Sequence, residues 1–333
     1  MVQTMQAPIS LSELESWLFE AANILRGPID AADFKTYIFP LLFFKRICDV
    51  FDEEYQIALA EADGDIEEAS YRENFRFYIP NNCHWQEVRE HTENVGSAIA
   101  HAMRCIEKEN SQTLSQIFGD VQWGNKERLP DRLLNNLIEH FSEKTLSNAN
   151  VEPDMAGRAY EFLIKKFADE SNKAAGEFYT PRNVIKLMMK ILKPQEHESV
   201  YDPAVGTAGM LLEALNYAQS HSGNIHLLHL YGQEKNLTTS SIARMNLILH
   251  GREDFEIVRG DTLRNPAFVE NDRLKTFDCV VANPPFSLKK WGEEVWEHDP
   301  YGRNFAGMPP SSYGDYAWVQ HMIKSMARKT GRM

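Results

Sequence analysis

Asn283-Pro284-Pro285-Phe286 is the stretch whose residue types could do chemistry. Two successive prolines fix the backbone and remove two N–H donors. The Asn283 side-chain oxygen and the Pro284 carbonyl are left as acceptors that can take both hydrogens of an –NH₂ group. An amine held that way is drawn out of conjugation, and its lone pair can attack a sulfonium methyl in line. Phe286 is placed to stack on a planar base or amide. An Asn-Pro turn can also occur by chance, so its weight depends on three segments upstream.

The first is Asp202-Pro203-Ala204-Val205-Gly206-Thr207-Ala208-Gly209, between a predicted strand and a predicted helix. Gly206 and Gly209 allow a ligand to approach the backbone. No Gly-Lys-Ser/Thr follows, which excludes a P-loop, and a dinucleotide fingerprint would need a third glycine. A tight turn without a ligand stays open for this segment alone. The second is Gly232-Gln233-Glu234, whose carboxylate could accept both hydroxyls of a ribose or simply cap a helix. The third is Arg259-Gly260-Asp261, whose Asp could accept from the exocyclic amine of an adenine or sit in an ordinary strand-end turn.

These segments need a scaffold that brings them together. From residue 176 onward strands alternate with helices: strands at 199–201, 225–231, 255–258 and 277–282, helices at 211–218 and 238–250. Such alternation predicts a doubly wound parallel sheet, which binds ligands at the carboxyl ends of its strands. Residues 1–150 read as mostly helical. Ser12 and Glu15 suggest a capping box for a first helix carrying Trp17, Leu18, Ala21, Ala22 and Leu25. Asp30 would cap a second helix reaching about Leu59, kinked or broken at Pro40. Residues 61–68 are expected as a solvated loop or exposed helix, and two or three helices should fill 85–145. Asn148-Ala149-Asn150 reads as a linker before a helix over 153–168. The expected organisation is therefore α/β: an N-terminal helical domain (1–150), then a Rossmann-like catalytic domain (151–333).

Bulk properties exclude several classes. The chain has 333 residues, a net charge of −13 and four cysteines without a CxxC pair, and suggests no zinc site. No apolar run approaches the roughly 20 residues of a spanning helix. Glu13 and Glu15 come too early for a signal peptide, so a cytoplasmic protein with reduced thiols is expected. Residues 1–150 carry 13 Lys and Arg against 25 Asp and Glu; the remainder carries 22 against 23. Neither half has the basic excess of a self-sufficient DNA binder, so a DNA substrate would be gripped largely by a partner.

Taken together, Asn283–Phe286 resembles the catalytic motif of adenine-N6 DNA methyltransferases, and 202–209 resembles their methyl-donor motif. Glu177-Phe178-Tyr179-Thr180, within 176–181, resembles the segment that closes over the methionine end of the donor; its position upstream of the glycine turn is similar to the gamma order. The strings Tyr231–Asn236 and Met245–Gly251, with Leu25-Arg26-Gly27 and Phe43-Phe44-Lys45-Arg46, look like modification subunits of Type I restriction–modification systems. The resemblance implies S-adenosylmethionine as methyl donor. Asp202, Gly206, Thr207 and Gly209 would hold its amino-acid part, Glu234 its ribose and Asp261 its adenine. Asn283, Pro284, Pro285 and Phe286 would hold a flipped target adenine. It implies no metal, and as partners a specificity subunit, a restriction subunit and a second modification subunit.

The chain departs from that pattern at Val205 and Ala208, where Cys and Gly are more usual, so altered donor affinity is expected. It also ends near where a fifth strand should begin, which predicts an incomplete sheet with an exposed edge. Two other readings follow. One is a protein-glutamine or RNA amine methyltransferase, disfavoured by Phe286 where those more often carry Tyr. The other is an inactive donor- or partner-binding module. A further expectation concerns 287–312, read as a surface loop or as a DNA-contacting loop with Lys289, Lys290 and Arg303 near phosphates.

Overall fold

The computed structural model describes residues 9–171, 180–222 and 228–333. The chain forms two compact units, 1–175 with 249–251, and 176–248 with 252–333. In the first, helices run α1 (Leu11–Leu25), α2 (Phe34–Glu61), α3 (Ile66–Ala69), α4 (Trp85–Arg89), α5 (Val95–Glu109), α6 (Ser111–Leu114), α7 (Asp131–Ser142) and α8 (Pro153–Ser171).

The apolar stripe foreseen for α1 is buried, but its cap lies two residues earlier than expected. Ser10 Oγ accepts from Glu13 N at 3.3 Å, which places Ser12 and Glu15 inside the helix. Pro40 does not end α2, which continues through it to Glu61. It lies near the start of a helix whose residues 37–50 are buried without interruption. The missing bond to the Thr36 carbonyl costs about 3 kcal/mol, and burial on every face of the helix offsets it.

Asn148-Ala149-Asn150 does not act as a free linker. Asn148 N and Ala149 N each donate to the Glu53 carboxylate at 2.8 Å, and Asn148 Oδ1 accepts from Arg46 at 2.6 Å. Leu146 N donates to the buried Asp49 at 2.6 Å. With its connection clamped to α2, α8 packs against α1. The first compact unit therefore takes in α8.

The second unit begins with α9 (Arg182–Leu192). It continues through β1 (Ser199–Asp202), α10 (Gly209–Ser222), β2 (His229–Glu234), α11 (Leu237–Leu249) and β3 (Phe255–Arg259). A short antiparallel pair, β4 (Val269–Glu270) and β5 (Arg273–Leu274), precedes β6 (Cys279–Val280), α12 (Glu293–Trp296) and α13 (Asp315–Lys324). The main sheet is parallel, in the order β3-β2-β1-β6. Residues 225–227, read as strand, lie outside the described residues. Successive residues face opposite sides: Val200 and Leu230 enter a core with Ile185, Leu211 and Leu215, while Tyr201 and Tyr231 pack with Phe268 and Phe277. Covering both faces is what a parallel sheet requires.

The edge beyond β6 is not left open. Residues 325–332 run along it, with Phe277 N donating to Ser325 O (2.8 Å), Ala327 N to Phe277 O (2.9 Å), Arg332 N to Asp278 O (2.9 Å) and Val280 N to Arg332 O (2.8 Å). The exposed edge expected from sequence is thus paired here. The stretch 287–312 also differs from a surface loop: Trp291 and Trp296 are buried with Leu263, Ala317 and Trp318. Arg303 is buried as well, ion-paired with Asp299 at 2.7 Å and donating to Thr262 O at 3.0 Å. It is therefore a structural cation, because desolvation and its carboxylate partner take the place of a phosphate contact. Lys289 and Lys290 stay exposed.

Candidate functional site

The strand order places all four chemistry-bearing segments side by side. Asp202 ends β1, Glu234 ends β2, Asp261 follows β3 and Asn283 follows β6, all at the carboxyl edge of one parallel sheet. The register reinforces this, with Asp202 opposite Gly232 and Glu234 opposite Arg259.

The turn after β1 is fixed by its neighbours. Val205 N donates to Gln233 O at 3.1 Å, Gly206 N to Glu234 Oε2 at 3.1 Å, and Thr262 Oγ1 to Pro203 O at 2.6 Å. Asn246, buried on α11, donates to Thr207 O at 2.9 Å. Gly206 has φ +54°, and a Cβ there would meet only Ala204 O at 4.0 Å. Gly209 has ordinary room, a Cβ there meeting only Ile185 Cδ1 at 3.9 Å. Ala208 is buried with φ +66°, a conformation glycine adopts freely and an L side chain pays about 1 kcal/mol for. Ala208→Gly is therefore expected to stabilise the chain by about 1 kcal/mol, offset in part by the greater freedom of glycine in the unfolded chain. Urea unfolding measures it as an increased midpoint at unchanged m-value.

Asp202 is 2% exposed, and its Oδ1 accepts from Ala204 N at 3.0 Å. Burial pushes its carboxyl up to about 7, against the lowering hydrogen bond from Ala204 and with a further push from the Glu234 carboxylate. A buried carboxylate of this kind is stabilised by an incoming cation. Glu234 is held by two backbone donors, Gly206 N on Oε2 and Asn236 N on Oε1 at 2.9 Å. Asp261 is more engaged: Leu263 N and Arg264 N reach Oδ1 at 3.2 Å, and Lys235 pairs with Oδ2 at 2.8 Å. A ligand amine at Asp261 would share it with Lys235.

Asn283 Nδ2 donates to Thr180 Oγ1 at 3.0 Å, which leaves Oδ1 as the acceptor end of the amide. Phe286 is 68% exposed. The next residue, Ser287, donates its N–H to Asp315 Oδ1 at 3.0 Å, tying the motif to the start of α13. Glu177, Phe178 and Tyr179 lie outside the described residues; Thr180 is the member of that segment the structure places at the site. The residue reading passed over Lys235, Asn246 and Asp315 as site residues. Asn246 and Lys235 had a signal, since both fall within the strings 231–236 and 245–251.

The fold and this edge define a class, and comparison with known proteins names it. The family described as N-6 DNA methylase matches residues 151–333, and the chain belongs to that family. The HsdM N-terminal domain matches residues 14–141. The chain is 30% identical over 266 residues to the Type I restriction enzyme HindI methylase subunit of Haemophilus influenzae, covering 74% of this chain and 58% of that protein. It is 30% identical over 349 residues to the MjaVIII methylase subunit of Methanocaldococcus jannaschii, covering 97% and 57%. The crystal structure of a type I restriction-modification methyltransferase subunit from Streptococcus thermophilus superposes with a TM-score of 0.79 at 26% identity, over 97% of this chain and 73% of that one. The chain spans between 43% and 58% of the length of the first curated relatives it matches. Among the described residues no helix is long and apolar enough to cross a membrane.

Proposed function

We propose that this chain carries the methyl-donor and target-amine sites of a site-specific adenine-N6 DNA methyltransferase, working as a modification subunit in a Type I restriction–modification assembly. The observation that carries the reading is the row of Asp202, Glu234 and Asp261 beside Asn283 at one sheet edge. Membership of the N-6 DNA methylase family supports DNA adenine as substrate over a protein glutamine or an RNA amine.

The residues fit S-adenosylmethionine as donor, which would supply an electrophilic methyl group on a sulfonium. The buried Asp202 carboxylate suits the donor's ammonium, and Gly206 keeps the turn free of a side chain. Glu234 suits the ribose hydroxyls and Asp261 the adenine amine. On the substrate side, Asn283 Oδ1 and the Pro284 carbonyl accept the two hydrogens of the target N6 amine. The amine loses conjugation with its ring and its lone pair turns toward the donor. Phe286 stacks on the extruded base. Catalysis is positioning and polarisation by groups already held in place, and Thr180 holds Asn283. With an acidic helical half, the DNA backbone is gripped chiefly by a specificity subunit. A restriction subunit and a second modification subunit complete the assembly, in the cytoplasm.

Thr180→Val is expected to lower the rate of methyl transfer about tenfold, the loss of one orienting hydrogen bond, with a smaller effect on donor Kd. Thr180→Ser keeps the hydroxyl and should restore the rate. Single-turnover transfer to DNA by the chain assembled with a specificity subunit makes the measurement. Equal rates for Val and Ser would remove Thr180 from the site.

A further inference from the structure

Two of the four cysteines, which sit 22 residues apart, come together in the helical unit. Cys83 closes the turn before α4, its N–H donating to Pro80 O at 3.1 Å, and it is buried. His101 and Cys105 lie one turn apart on α5. The two sulfurs and an imidazole nitrogen all lie within 4.8 Å of one another. Cys105 Sγ stands 3.7 Å from His101 Nε2 and 3.9 Å from Nδ1.

Tetrahedral zinc, with Zn–S of about 2.3 Å and Zn–N of about 2.0–2.1 Å, sets its sulfur and nitrogen ligands about 3.5–3.8 Å apart. The Cys105–His101 separation already has that value. The i,i+4 spacing on α5 points both side chains the same way, and the buried Cys83 supplies the third ligand from the facing turn. We propose that Cys83, His101 and Cys105 bind one thiophilic divalent cation of the zinc type. Its fourth position is open to water, because His101 is exposed.

The chemistry balances. Two thiols each give up a proton as the cation binds, leaving two thiolates, a neutral imidazole and M²⁺, a centre of zero net charge suited to a half-buried place. Burial and the Cys105 sulfur push the Cys83 thiol up to about 12, with Glu87 adding to the push. A cation at the same place stabilises the thiolates and reverses the effect of the neighbouring negative charge.

The cation would pin the turn at Pro80–Cys83 to α5. That turn leads into Trp85, which packs against Phe44 at 5.3 Å. Binding should therefore raise the thermal stability of the helical unit.

The test uses the full chain, stripped of metal and kept reduced. Zinc is titrated in competition with a chromophoric chelator, and cobalt(II) serves as a spectroscopic probe. The expected result is one equivalent per chain, release of about two protons near pH 7 and a thiolate-to-cobalt charge-transfer band. Cys83→Ser/Cys105→Ser should weaken zinc binding by about a hundredfold or more and His101→Gln by about tenfold, each tenfold being about 1.4 kcal/mol. Cys48→Ala, elsewhere in the same unit, should leave it unchanged. If the double variant unfolds, the exposed His101→Gln still tests the site. Absence of stoichiometric binding by the folded, reduced chain would overturn the proposal, as would undiminished binding in the His101 and cysteine variants.

Discussion

Replacing Asn283 with Ala should lower methyl transfer to DNA by roughly 100- to 1000-fold, the size of loss seen when one preorganised polar group is removed from the place where charge develops. Donor binding should be nearly unchanged, because Asn283 belongs to the target side of the sheet edge and its described hydrogen bond is to Thr180. The same substitution should leave the fold unaltered, since Asn283 is half-buried and lies outside the hydrophobic clusters. The assay is transfer of labelled methyl groups in the assembled complex, read beside donor titration. A parallel loss of donor affinity would move Asn283 out of the role proposed for it.

The second large effect concerns Asp202 and runs in two directions. Its carboxyl titrates near 7 in the folded chain against an ordinary 3.8. A carboxyl raised in this way is protonated in the folded chain over a range where the unfolded chain has released the proton. Its contribution to stability is therefore complete below about pH 4 and is lost as pH rises toward 7, by about 1.4 kcal/mol per pH unit. Asp202→Asn removes the titration and should stabilise the chain by about 3–4 kcal/mol at pH 8 and by little at pH 4. The same variant should weaken S-adenosylmethionine binding by about a hundredfold, the loss of a buried charge pair with the ammonium. In the parent chain, donor affinity should rise with pH up to about 7 and level off above it, because the ammonium selects the ionised carboxylate. Thermal unfolding across pH checks the first claim and calorimetry the second. Stability that does not respond to the substitution at pH 8 would show that Asp202 is solvated and ordinary.

The contrast between these two positions also explains what could be read from the sequence. Asn283–Phe286 and 202–209 were legible because their chemistry is local: proline geometry and a glycine turn act within a few residues. Alternation after residue 176 was enough to give the parallel sheet, and with it the shared carboxyl edge. The raised pKa of Asp202 was not legible, because it depends on burial by distant parts of the chain. Thr180 as the partner of Asn283 depends on a contact across more than 100 residues.

The misreadings have the same origin. Pro40 obeys a local rule until the buried stretch 37–50 of α2 overrides it. Arg303 reads as a phosphate contact until Asp299 and Thr262 enclose it. The glycine- and proline-rich stretch 287–312 looks like a loop because its anchors, Trp291 and Trp296, are single residues without periodicity. Helix α9 went unread although its apolar residues form one broad face opposite Lys186 and Lys190; Ile185, Met189 and Leu192 on that face are buried, while Val184, Leu187 and Ile191 at its margin are exposed. The pair β4–β5 turns through Asn271 and Asp272, both at positive φ, without the Asn-Gly signature that would have announced it. Cys83, His101 and Cys105 match no familiar ligand spacing, since a turn before one helix and a face of another assemble them.

The measurement that reaches the central claim most directly is calorimetric titration of the purified chain with S-adenosylmethionine at pH 6 and pH 8, with Asp202→Asn and Asn283→Ala alongside. One donor per chain is expected, bound more tightly at pH 8, retained by Asn283→Ala and weakened about a hundredfold by Asp202→Asn. A folded chain that does not bind the donor, or that binds it regardless of Asp202, would contradict the assignment of this sheet edge as the methyl-donor site.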